Sequence, residues 1–250
     1  MERDYGEWSH PNVINFYTQH RCNFSDLYES EKFFLPKILF PNIKVLDIGC
    51  AAGGFYNIIK TIEPTVEYTG VDISLTLIEK ARKKYPGVKF LTANVTDIPF
   101  DDSVFDLVFS TGVLHMEYHY YNAIKEAYRV TDKHLLFDLR LNKDETGFFT
   151  QKLIFENNSS YSNKKNEIPS APYIVCNATE ILDFLKQLSP VPISLQATGY
   201  FRKPAETVST KQEVCMTAFL IEKGKNGHKK TCIQLDLPLK KLGLTEKSFK

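Results

Sequence analysis

VLDIGCAAGG, residues Val45–Gly54, joins an apolar run to a turn of small residues and then to an apolar helix pattern at Phe55, Ile58, Ile59 and Ile62. Ile43–Ile48 reads as a buried parallel strand carrying one acid, Asp47, near its C-terminal end. Gly49 opens φ angles closed to other residues. Ala51, Ala52, Gly53 and Gly54 leave bare main chain at the start of the helix. Free N–H groups in such a place form a seat for a nucleotide-bearing ligand.

The flanking acids narrow the ligand. Gly49-x-Ala51-x-x-Gly54 is a degraded dinucleotide fingerprint, which alone carries little. Asp47, two residues before the first glycine, would repel a pyrophosphate and suits a ligand with a cationic amine. The next strand-like run, Val66–Val71, ends in Asp72, nineteen residues past Gly53, where a carboxylate can accept from both ribose hydroxyls. An acid near an ammonium and an acid on a ribose together describe S-adenosylmethionine (SAM) rather than NAD. A sulfonium is stabilised by aromatic faces, for which Tyr17 and Tyr28 are candidates, and Arg21 can pair with a carboxylate.

Lys44–Arg140 resembles a class I SAM-dependent methyltransferase of the ubiquinone- and menaquinone-biosynthesis type. Ala93–Met116 (ANVTDIPFDDSVFDLVFSTGVLHM), Val71–Ser74 and Glu126–Val130 leading into Leu135–Leu139 carry the resemblance in the expected order. It implies an α/β, three-layer Rossmann-like fold: a seven-stranded, mostly parallel sheet with a C-terminal antiparallel hairpin and a helical N-terminal lid. It implies that Gly49, Ala51 and Gly53 cradle the amino-acid part of SAM, with Ala51 in place of the family's middle glycine. Ile73 would pack on adenine, Asn94 with Val95 would read its edge in place of the usual Asp (Asp97 being the alternative reader), and Ser110 would offer a backbone carbonyl to the amine. His115, just beyond, is the candidate base if the nucleophile carries a proton. No NPPY-like tetrapeptide follows strand four, where STGV stands, which argues against methylation of exocyclic amines.

The spacing predicts strands over 43–48, 66–71, 88–92, 105–110 and 134–140, alternating with helices over 54–62, 74–85 and 119–129. Helices are also expected over 12–20, over 25–39 with Ser25 as N-cap, and over 178–188; strands over 193–200 and 214–222 complete the set. This makes one domain over 1–250: a lid to 42, a SAM-binding core over 43–140, a substrate-side insertion over 141–176, a helix and hairpin over 177–224, and a mobile basic tail over 225–250. The lid is aromatic, with nine aromatic residues in the first forty.

A formal net charge of +1 gives no steering toward a polyanion, so bulk charge favours no nucleic-acid partner. The five cysteines are scattered, the start MERDYGEW has no apolar core, and no apolar run reaches membrane-spanning length. A cytoplasmic enzyme without a membrane span is expected. His115 and His119 stand one helical turn apart but lack the Glu placement of a zinc protease, and no metal is expected. A small-molecule methyl acceptor, with oxygen as a candidate atom, is favoured by the aromatic lid and the 141–176 excursion. An RNA- or protein-modifying enzyme, with eight lysines and two acids in Lys223–Lys250 as its support, and a SAM-binding non-enzyme stay open.

Overall fold

A computed structural model describes residues 5–154 and 168–245. The quoted stretch forms β1 (Lys44–Ile48) and α3 (Gly54–Ile62) as expected, followed by β2 (Glu67–Asp72), α4 (Leu75–Lys84), β3 (Lys89–Thr92), β4 (Phe105–Ser110), α5 (Tyr120–Val130) and β5 (Thr131–Asn142). Before them lie α1 (Pro11–Gln19) and α2 (Glu29–Ile38). After them come β6 (Gly147–Lys152), β7 (Ser170–Asn177), α6 (Ala178–Lys186), β8 (Ser194–Arg202), β9 (Val214–Glu222) and β10 (Cys232–Asp236).

The strands join in the order β10-β8-β9-β5-β4-β1-β2-β3, with β7 on the end of β5 and β6 on β7. From β3 to β5 all pairs are parallel; β9 is antiparallel to β5 and β8 is antiparallel to β9, so the C-terminal hairpin is present. Among the described residues the sheet has ten strands rather than seven. Two of the additions, β6 and β7, arise where an irregular excursion was expected, and the third, β10, where a mobile tail was expected. Alternation explains β10: Ile233 and Leu235 pack on the core while Gln234 and Asp236 face out, beside Gln196 and Thr198 of β8. Leu242 and Leu244 beyond it are buried as well. The tail therefore has a folded part through residue 245.

Strand alternation sends Leu46, Ile48, Val108, Leu135 and Phe137 to one face, against Ile124 of α5 and Ile181 of α6. Val45, Leu107, Phe109 and Leu136 go to the other, against Phe34 of α2 and Ile58 and Ile59 of α3. That makes three layers. Lys223, just past β9, places its ammonium among the carbonyls of Tyr128 (2.9 Å), Arg129 (3.0 Å) and Thr131 (2.6 Å), a cation on the C-terminal end of α5.

The second lid helix starts at Glu29, not Ser25, because its N-cap is Tyr28, whose N–H donates to the Glu31 carboxylate at 2.8 Å. Ser25 lies in a separate short 3₁₀ turn. No helix among the described residues is long and apolar enough to cross a membrane.

Candidate functional site

The turn after β1 is fastened to β2: Val71 O accepts from the N–H groups of Gly49 (2.8 Å) and Cys50 (3.0 Å). Gly49 (φ +78°), Ala51 (φ +48°) and Gly53 (φ +76°) are all left-handed. A Cβ on Gly49 would overlap Val113 Cγ2. Ala51 carries a side chain in this region, at a cost of about 1–2 kcal/mol, and its N–H donates to Asp72 Oδ2 at 2.9 Å. Asp72 Oδ1 accepts from Ser74 N–H at 2.8 Å, so two backbone donors aim the carboxylate. Burial pushes the Asp72 carboxyl above its usual range, and these N–H groups oppose the rise.

Gly49, Ala51, Asp72, Ile73, Asn94 and Val95 line one cavity of about 110 Å³, together with Tyr5, Trp8 and Tyr17 from the N-terminal segment and Thr111, Met116 and Glu117 beyond β4. Six expected contacts from the core and Tyr17 from the lid thus converge. Two of the contacts that hold the segment to the core are Tyr5 Oη donating to Glu117 Oε2 at 2.9 Å and Ser74 Oγ donating to Trp8 O at 3.1 Å; within the segment the Trp8 and Tyr17 rings meet edge to face at 6.0 Å. Burial pushes the Tyr17 hydroxyl strongly up, so it stays protonated.

Other expected residues lie elsewhere. Asp47 points to the α3 side of the sheet, 3% exposed, where it accepts from Tyr68 Oη; burial lifts its carboxyl to about 7 against that hydrogen bond. It braces the turn from beneath and lines neither this cavity nor the larger one described below. Gly53 is the left-handed N-cap of α3, packed where a Cβ would meet Phe90 Cζ at 2.8 Å, and is not part of the lining. Ser110 donates to Ile48 O at 3.2 Å, tying β4 to β1, and is fully buried. Asn94 lines the cavity, but its side-chain oxygen accepts from Thr96 N–H and Oγ1, both at 3.0 Å, in a turn of its own loop.

Arg21 does not line the cavity. Its guanidinium pairs with Glu31 and lies between the rings of Tyr28 (4.4 Å) and Phe55 (4.5 Å), reaching Thr111 Oγ1 at 3.4 Å. A Cβ on Gly54 would meet Arg21 O at 2.5 Å, so the bare start of α3 receives the Arg21 main chain. His115 is buried, edge-on to Tyr173, with Nδ1 unpartnered; burial and the Arg140 charge lower it to about 3. It lines no described cavity, and His119, four residues on, is exposed.

A second, half-open cavity of about 770 Å³ lies between α2 and the face of β5, β8, β9 and β10. Thr111 lines both cavities. At its deep end Arg140 pairs with Asp138, whose Oδ1 also accepts from Gly112 N–H at 2.6 Å. Burial raises the Asp138 carboxyl, but the charge and hydrogen bond of Arg140, His115 and the Gly112 N–H together outweigh it and hold the group below the usual carboxylate range. Asp138 and Arg140 were not among the expected site residues. Their signal was the alternation in FDLRLN, which puts two charges on one face of a strand that a parallel sheet would bury on both.

The methyltransferase-domain family matches residues 46–135. An uncharacterized protein of Methanocaldococcus jannaschii is 31% identical over 216 residues, 83% of this chain and 90% of that protein. A malonyl-[acyl-carrier protein] O-methyltransferase of Legionella pneumophila is 33% identical over 75 residues, which is 29% of this chain and 26% of the relative. A phthiotriol/phenolphthiotriol dimycocerosates methyltransferase of Mycobacterium tuberculosis is 31% identical over 90 residues, 35% of this chain and 33% of the relative. The chain thus spans about a quarter to a third of these two named relatives. In fold it is similar to a SAM-dependent methyltransferase of Methanosarcina mazei at 18% identity and TM-score 0.54, over 79% of this chain and 98% of that one.

Proposed function

The chain belongs to the class I SAM-dependent methyltransferases, with SAM as methyl donor, and on that premise we propose that it methylates an oxygen of a small molecule, holding the donor in the smaller cavity. The observation that carries this reading is the convergence of Asp72, the left-handed turn at Gly49–Ala51 and the aromatic rings of Trp8 and Tyr17 on one cavity.

Those residues fit the donor's parts. Asp72 keeps carboxylate lone pairs beyond the two its backbone donors use, enough to accept from ribose hydroxyls. Ile73, Leu77 and Val95 give apolar walls for a flat base. Trp8 and Tyr17 give ring faces for a cation. The bound donor supplies an electrophilic methyl group. The chain holds the acceptor in line with it and keeps water out, a proximity contribution of up to ~7–11 kcal/mol.

Oxygen as the acceptor atom is supported by the relative named as an O-methyltransferase. Because that likeness is confined to 75 residues, it supports the class of reaction and not a particular acceptor.

Calorimetry with SAM, followed by mass spectrometry of cell extracts incubated with the protein and isotopically labelled SAM, tests the proposal. Label on a small molecule is the expected result; label only on RNA or protein overturns it.

A further inference from the structure

The larger cavity has the size of a small-molecule site, about 770 Å³ against ~300–1,000 Å³ for such pockets. Thr111 borders both it and the smaller cavity. Its charges come in matched pairs: Arg140 with Asp138, Glu31 with Arg21, and Lys32 with Glu29 at 2.9 Å. The two other charged side chains in its lining, Arg202 and Asp236, are of opposite sign. A ligand with net charge would find no surplus here to compensate it, and burying an uncompensated charge is costly.

The remaining lining is of two kinds. Gln196 and Gln234 stand side by side on neighbouring strands, and so do Thr198 and Asp236. With strands about 4.8 Å apart, these form a grid of amide, hydroxyl and carboxylate groups that both donate and accept. Across from them Phe33 of α2, and beside them on β8 Tyr200, expose large ring faces, 53% and 56%. Planar polar groups that grip neighbouring hydroxyls, beside rings that cover C–H faces, are what a polyhydroxylated ring needs.

We propose that this cavity is the acceptor site and that it takes a neutral polyhydroxylated molecule, a glycoside or polyol, whose reacting hydroxyl lies at the Thr111 end. The inference rests on the small-molecule, oxygen-acceptor reading above and adds the acceptor's class and place. In the step itself a C–O bond forms to the methyl carbon as its C–S bond breaks, and the electron pair stays on sulfur. The hydroxyl proton passes to the Asp138 carboxylate, which the Arg140 ion pair keeps charged, and from there to water in the half-open cavity.

The test uses the full chain and methyl-labelled SAM with a panel of uncharged methyl and nitrophenyl glycosides, matched uronates, matched amino sugars and fatty acids. The expected result is transfer to at least one uncharged glycoside. In Gln196→Leu and in Tyr200→Ala, KM for that glycoside should rise at least tenfold, while SAM affinity and thermal melting stay as in the parent chain. Transfer confined to charged members of the panel overturns this inference and leaves the oxygen-acceptor reading standing. So does SAM binding with no transfer to any uncharged glycoside, or a KM that neither substitution moves. Label found only on RNA or protein instead removes the reading beneath it.

Discussion

The smaller cavity is built from strand ends and the loops that follow them between Ile48 and Glu117, closed by three aromatic residues of the N-terminal segment; the larger one gathers side chains from residues 28 to 236. The first presents main chain, one aimed carboxylate and ring faces. The second presents side chains on the flat of a sheet. A ligand shared by many enzymes can be held by backbone, whose geometry a short motif dictates. A ligand particular to one enzyme has to be read by side chains, and those come from wherever the fold brings strands together. The division teaches that substitutions should separate the two functions, except at residues that touch both.

Thr111 is such a residue, and Arg21 stands behind it, its guanidinium reaching Thr111 while its partner Glu31 lines the larger cavity. Arg21→Ala leaves Glu31, 2% exposed, without its counter-charge, and a loss of about 3–5 kcal/mol is expected. Urea unfolding would show it as a lower midpoint; an unmoved midpoint means that the pair does not anchor the lid.

An effect of the same order is expected from pH through Asp47. In the folded chain its carboxyl holds a proton up to about pH 7, whereas in the unfolded chain it loses it near 3.8. Between those values the folded state binds more protons, so stability falls as pH rises from about 4 to about 7. Asp47→Asn should flatten that fall in unfolding curves taken across the window. An identical slope in the variant and the parent would show that Asp47 titrates normally.

Asp138→Asn keeps the shape of the group and removes its charge. A kcat lower by ~100-fold, with SAM affinity unchanged in calorimetry, is the expected split between the cavities; equal damage to both would erase the distinction. The converse comes from Asp72→Ala, which should weaken SAM at least tenfold by removing charge-assisted bonds worth roughly 1.5–3 kcal/mol. Titration giving the parent's affinity would refute the ribose assignment. The smallest change is expected of Tyr5→Phe, which deletes the hydroxyl on Glu117 and should speed cofactor release about threefold in stopped-flow displacement, a net loss of ~0.5–1 kcal/mol.

Much of the first cavity was legible in the sequence because its parts are local. The strand, turn and helix of VLDIGCAAGG follow from apolar spacing and small residues, and Asp72 follows from a strand end. What sequence could not show is direction. Asp47 lies on the opposite side of its strand from Ile48, and only the pairing of β1 with β2 reveals Tyr68 as its neighbour. Gly53 was assigned to the ligand, yet it serves as a left-handed helix start against Phe90. Arg21 found a partner ten residues away, and Tyr5 one that is 112 residues away. Such long-range partnerships leave no mark on spacing. The second cavity hid for the same reason, since Gln196 and Gln234 become neighbours only when β10 lies against β8.

The volume of the cavity proposed for the donor has a kinetic consequence. At about 110 Å³ it is smaller than the ~300 Å³ at which small-molecule sites begin, and Tyr5, Trp8 and Tyr17 are part of its wall. Should the donor bind here, each cycle lifts and reseats an aromatic flap, and departure of the spent donor is expected to set the pace. Rapid-quench traces should then show a burst of methylated product equal to the enzyme concentration, followed by a slower linear phase that quickens when the flap is loosened.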